Sequence, residues 1–251
     1  MSMRACVVGA LVAGAFPVVA LGQFAPTGQE RSTVASAVLG NGAEGFDGSS
    51  APGMGPWSHT AAASRSEVNG GGAEGSAGHN TTVSSSLISG SLTASTLVRT
   101  GSTFITGEAQ GHSSFLALFS VAAPTPVSFT GGGSVVLNGL NPDGEPSDLY
   151  GRARVQLINA DTDEPVAGFL IFPGPGSDGF TFSGTLPAGN YALMANAFSY
   201  AFSADLLGPP ARSGGGETSV NFALTVVPTP SAAALLGLAG VVGVAGGRRR
   251  R

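Results

Sequence analysis

Val220-Asn221-Phe222-Ala223-Leu224-Thr225-Val226 sets Val220, Phe222, Leu224 and Val226 against Asn221, Ala223 and Thr225 in strict alternation. A period of two places successive side chains on opposite faces of an extended chain, so this stretch reads as a half-buried β-strand. The same period recurs upstream. Ala153, Val155 and Leu157 alternate with Arg152, Arg154 and Gln156, and Phe115, Ala117, Phe119 and Val121 form another apolar face. Phe180-Thr181-Phe182-Ser183-Gly184 and Tyr191-Ala192-Leu193 flank a Leu186-Pro187-Ala188-Gly189-Asn190 turn. Glycine, proline, asparagine and aspartate punctuate these runs, as they do between short strands. Inside the body no window has the 3.6-residue period of an amphipathic helix. The pattern predicts an all-β, antiparallel sandwich or jelly-roll-like body.

Outward from this region the texture changes. Gly40 to Gly78 is rich in glycine, alanine and serine and is broken by Pro52-Gly53-Met54-Gly55-Pro56. It still leaves room for strands around Thr33–Leu39 and Trp57–Val68. The reading therefore divides the body into a Gly/Ala/Ser-rich segment, 23–80, which can supply the first strands, and a β-sandwich domain, 81–227.

Both ends differ from the body. Met1 to Arg4 form a short basic start, Cys6 to Leu21 run apolar, and Ala20-Leu21-Gly22 brings small residues to the end of that run. This is the layout of a secretory signal peptide, predicted to be cut after Gly22 by signal peptidase. At the other end Pro228-Thr229-Pro230 leads into the uncharged stretch 232–247, and Arg248, Arg249, Arg250 and Arg251 follow. As a helix that stretch would rise about 24 Å, short of a hydrocarbon core of about 30 Å. Its strongly apolar residues contribute only about 3 kcal/mol of insertion free energy. It reads as a weak anchor with a cationic stop on the cytoplasmic side.

The order Val-Pro-x-Pro, short Ala/Leu/Gly helix and terminal arginine cluster resembles the PEP-CTERM sorting tail. Thr229 stands where that family usually carries glutamate. The resemblance implies transient anchoring in the inner membrane, processing by an exosortase, and an envelope that makes exopolysaccharide. With the signal peptide in front, it implies a body delivered to the outer surface or the extracellular matrix, with a structural or adhesive role.

Composition narrows the partners. Lysine is absent and all 11 basic residues are arginine. Without Arg4 and the terminal four, 11 − 5 = 6 arginines face 15 acids, a net charge near −9 for the body. Nucleic acid is a poor partner for such a chain. The sole cysteine, Cys6, lies in the signal peptide, so no intramolecular disulfide is available to the body.

Chemistry-bearing motifs are sparse. Gly40–Gly45 and Gly70–Gly75 each match G-x-G-x-x-G, but no helix pattern follows either one, as a dinucleotide site requires. His59, His79 and His112 are scattered, and Ser113 beside His112 lacks the setting of a catalytic nucleophile. No catalytic constellation or cofactor site is predicted. A hydrolase would need a histidine and an acid to converge in one pocket. Asp143, Glu145 and Asp148 in one turn, and Asp161, Asp163 and Glu164 in the next, are calcium candidates because alternating loop oxygens suit a hard cation. The same residues are also ordinary turn formers. Trp57, Tyr150 and Tyr200 are candidates for stacking on sugar rings, the alternative being core packing.

Overall fold

A computed structural model describes residues 23–228, apart from 41, 43, 68–69, 100–105, 140–146 and 205–212. Residues 1–22 and 229–251 lie outside the described residues, and with them both terminal helices expected from the sequence. The body is all-β, as its alternation predicts. No helix occurs among the described residues, and none there is long and apolar enough to cross a membrane.

Twelve strands run in chain order: β1 (Phe24–Leu39), β2 (Glu44–Ser50), β3 (Trp57–Ser66), β4 (Gly72–Val83), β5 (Leu87–Arg99), β6 (Thr106–Val121), β7 (Thr125–Asn138), β8 (Ser147–Asn159), β9 (Glu164–Ile171), β10 (Gly176–Leu186), β11 (Gly189–Ala204) and β12 (Ser213–Val226). They form two six-stranded sheets, in the orders β2-β1-β6-β11-β8-β9 and β10-β7-β12-β5-β4-β3, and every pairing is antiparallel. The sheets lie face to face: β1 packs on β3 and β4, β11 on β5 and β12, and β8 on β12 and β7. The Gly/Ala/Ser-rich stretch thus supplies strands to both sheets. The Leu186–Gly189 turn carries the chain from one sheet to the other, so β10 and β11 are not a hairpin.

Inward positions follow the period-two register, and they fall into three zones. The first is a large apolar cluster from the ends of the strands nearest Phe24 and Val226. It contains Phe24, Phe115, Phe119, Phe129, Leu157, Tyr191, Leu193, Phe222 and Leu224. Phe119 packs between Phe24, at 4.8 Å, and Tyr191, at 5.6 Å between ring centroids. Each such side chain contributes about 1.5–3 kcal/mol by leaving water. The second zone is made almost wholly of alanine: Ala35, Ala37, Ala61, Ala63, Ala73, Ala109 and Ala201, with Leu39 and Val98.

Small side chains let the sheets approach. A methyl group placed on Gly75 would lie 2.4 Å from the Gln110 carbonyl oxygen and 2.6 Å from that of Ser36, and one on Gly111 would lie 2.2 Å from the Ser76 carbonyl. All three oxygens belong to the facing sheet. Sheets separated by large side chains stand about 10 Å apart; here backbone nearly meets backbone.

The third zone is a polar seam between the two clusters. Gln29, Arg31, Thr33, His79, Thr81, Ser113, Thr96, Ser199 and Thr218 are all buried in it. Its hydroxyls find partners, as buried polar groups must. Thr96 Oγ1 meets Ser199 Oγ at 2.9 Å, Ser199 Oγ donates to the Gly216 carbonyl, and Thr218 Oγ1 donates to that of Phe198.

The two ends of the body leave from one place. Phe24 N–H donates to the Ser85 carbonyl and Val226 N–H to that of Ser86, both in the β4–β5 turn, while Val227 N–H closes on Pro126. Pro228, with no N–H, cannot extend that pattern.

Candidate functional site

His112 and Ser113 are neighbours on β6, and neighbours on a strand face opposite ways. Ser113 points inward and is fully buried; its Oγ meets His79 Nδ1 at 3.1 Å, while His79 Nε2 meets Thr81 Oγ1 at 3.1 Å. Thr81, not a carboxylate, backs the imidazole. Burial and the nearby positive charge of Arg31 bring the His79 pKa down from 6.5 to about 4. His59 pairs across the β3–β4 ladder with His79 and bonds Thr33 Oγ1 through Nδ1 at 2.7 Å. Trp57 stacks on His59 at 5.8 Å and meets His79 edge-on at 4.6 Å. Two of the histidines and the tryptophan therefore join the interior polar seam, not a reactive cleft.

Outward positions of β6, β11 and β8 build a different surface. Strand register aligns Gln110, Tyr200 and Tyr150 in one row and His112, Phe198 and Arg152 in the next. A third row runs Ser114, Asn196, Arg154 and, on β9, Leu170. Tyr150 and Tyr200 stack with ring centroids 4.7 Å apart at 29°, Phe198 lies 5.6 Å from Tyr150, and Phe172 meets Tyr150 at 6.4 Å edge-on. Polar groups are fixed around these rings. Arg152 Nε donates to Asn196 Oδ1 at 2.9 Å, Asn196 Nδ2 contacts His112 Nε2 at 2.6 Å, and the Arg154 guanidinium donates to Gln156. Burial, then Arg152, holds the His112 pKa below its usual value. Burial and Glu108 push the Tyr200 phenol up to about 12.

The rim of this surface is apolar and open. Phe172 is 55% and Leu170 59% exposed. A groove of about 560 Å³ runs beside them, lined by Arg154 and Gln156 from β8 and by β9 from Pro165 to Leu170. Tyr150 and Tyr200, sugar-stacking candidates by sequence, are thus brought together, and Trp57 is placed elsewhere. Phe198, Phe172, Asn196 and the two arginines were not singled out by sequence. Their signal was the shared parity of Phe198 with Tyr200, and of Arg152 and Arg154 with Tyr150.

The acidic residues are spread. Asp143 and Glu145 lie outside the described residues. Asp148 lies near the start of β8 and Asp161 follows its end, roughly 40 Å apart at the rise of a strand, so these two carboxylates cannot share one ion. Asp161 accepts the Asn190 amide N–H at 2.9 Å and its side-chain Nδ2 at 2.9 Å, which lowers its pKa. Asp163 adopts φ 58 in the same turn, beside Glu164 at the start of β9. Among the described residues no three His, Cys, Asp or Glu side chains come together as a metal site. Of the glycine motifs, Gly70–Gly75 forms the end of the β3–β4 turn and the start of β4, and β2 begins at Glu44, inside Gly40–Gly45.

No family model matches the chain, and no curated protein matches it. Among solved structures it is similar to that of the infectious bursal disease virus Gx strain, at 10% identity with a TM-score of 0.17 over 82% of this chain and 63% of that one. The Gt strain structure gives 10% identity and a TM-score of 0.17, over 82% of this chain and 67% of the other. Likeness at that level carries no argument about fold or function.

Proposed function

We propose that this chain is an exported protein of the cell envelope or extracellular matrix, with a structural or adhesive role in contact with exopolysaccharide. Its contact surface is the outer face of the β2-β1-β6-β11-β8-β9 sheet. The observation that carries the reading is the Tyr150–Tyr200–Phe198–Phe172 ring group set among Arg152, Arg154, Gln156 and Asn196. Sugars present C–H faces that pack on aromatic rings and hydroxyls that bond to amides and guanidinium groups. Two of the body's six arginines lie here, which favours neutral or acidic glycans on an otherwise acidic protein. The frequent changes of sheet along the chain support a jelly-roll-like winding.

The sequence ends supply the address in this proposal. A signal peptide starts export, and the PEP-CTERM-like tail pauses the chain in the inner membrane until an exosortase cuts near Pro228-Thr229-Pro230. The exported protein should bind purified exopolysaccharide from its own host, and Tyr150→Ala with Arg154→Ala should weaken that binding at least 10-fold. Undiminished binding of the double variant sinks the assignment of this face. Mass spectrometry of surface protein reads the tail separately, and a C-terminus still ending in Arg251 rules out processing.

A further inference from the structure

Arg31 occupies an inward position of β1, in phase with Gln29, Thr33, Ala35 and Ala37, and only 3% of it is exposed. Its Nη2 donates to Gln29 Oε1 at 2.8 Å and to the Gly55 carbonyl at 2.5 Å. Both partners are neutral. The Arg31 Nε–H and the Gln29 Nε2 amide are buried with no hydrogen-bond partner at all. The contact to Arg31 fixes which end of the Gln29 carboxamide is oxygen, so the orphan group is the N–H₂ donor. Guanidinium and carboxamide dimensions keep these two donors within roughly 7 Å of each other.

Among the described residues no carboxylate bonds to the Arg31 guanidinium. His79 and His59 are the titratable neighbours within the seam, and Thr33, Thr81 and Ser113 are the remaining polar ones. A guanidinium does not deprotonate in a protein, and an unpaired buried ion costs several kcal/mol. Each orphan donor adds its own desolvation cost. The corner is covered by the Ala51–Pro56 segment, tied down where Ala51 N–H donates to the Arg31 carbonyl and Arg31 reaches Gly55.

We propose that Arg31 and Gln29 form a buried binding site for a halide-sized monovalent anion, closed by the Ala51–Pro56 segment. The anion accepts from Arg31 Nε and Gln29 Nε2 and neutralises the guanidinium between the sheets. The site is independent of the outer aromatic face and of any glycan there.

Bromide is the probe, added to the purified full-length exported protein. Melting temperature should rise by about 3 °C along a saturating curve as bromide increases, and crystals grown with bromide should give an anomalous peak within hydrogen-bond range of Arg31 Nε. Gln29→Glu supplies an internal carboxylate in place of the ion. It should raise the melting temperature in halide-free buffer and abolish the saturating response, and Arg31→Met should abolish that response as well. A wild-type protein without a saturating response, a response that survives in Gln29→Glu, or no anomalous peak at Arg31 overturns the site and leaves water as the partner of both donors.

Discussion

The two apolar clusters of this sandwich solve one problem in opposite ways. Around Phe119, Phe129 and Tyr191 the sheets are held apart and the space between them is filled. Around Ala37, Ala61 and Ala73 there is little to fill, and the sheets close until Gly75 and Gly111 press on carbonyl oxygens opposite. The first region draws stability from area removed from water. The second draws it from close packing of small groups, where contact is gained because almost no volume intervenes. A sheet pair can therefore change its thickness along its own strands, provided something at the change of spacing satisfies the polar groups. Here that task falls to the seam of Thr33, His79, Ser113, Thr96 and Ser199.

Phe119→Ala should show the largest effect. Removing a ring packed between Phe24 and Tyr191 should cost about 3–5 kcal/mol, read as a fall in the urea midpoint. A cost below 1 kcal/mol would mean the thick region is loosely packed and the contrast false. Gly111→Ala tests the thin region with a change that elsewhere would be harmless or favourable by about 0.4–1 kcal/mol. Here the added methyl has no room, and destabilisation of about 1–3 kcal/mol is expected. A neutral or stabilising result would break the comparison at its other half.

The seam should show a smaller, pH-dependent effect. His79 protonates near 6.5 in the unfolded chain and near 4 in the fold, so between those values the unfolded state binds more protons. Stability should accordingly be flat above pH 6.5, fall on acidification through that window by about 1–2 kcal/mol, and level off below pH 4. His112, also held below its usual pKa, acts in the same direction. His79→Gln should flatten most of the slope in a thermal-melt series; an unchanged slope would remove His79 from the account.

How much of this was legible follows the same division. Strands β6, β8 and β12 were readable because Phe119, Leu157 and Leu224 alternate with polar neighbours, giving a strong contrast at period two. Strands β3 and β4 carry the same register, but around Ala61, Ala63, Ala73 and Gly75, which face inward, the outward residues are mostly as small, among them Thr60, Ala62, Ser64, Gly72 and Ser76. Hydropathy contrast vanishes there, and alanine and glycine are weak strand formers besides. The Tyr150–Tyr200 pair needed the β8–β11 register, which no local pattern encodes. Arg31 was hidden by a sound rule, since unpaired arginines are seldom buried. Only its parity with Thr33 and Ala35 pointed inward.

The shared exit of Phe24 and Val226 beside the Ser84–Ser86 turn has a mechanical consequence. β12 runs between β5 and β7, whereas β1 has β6 along its length and β2 only from Ser32 to Val38. A force drawing Val227 away from the body acts along β12 and loads both of its ladders in shear. Their hydrogen bonds must then yield together, whereas an edge strand pulled sideways would open one bond at a time. Resistance to such a pull is set by the height of the unfolding barrier rather than by net stability. A body tethered through Val227 is therefore gripped along its length at the point where tension enters.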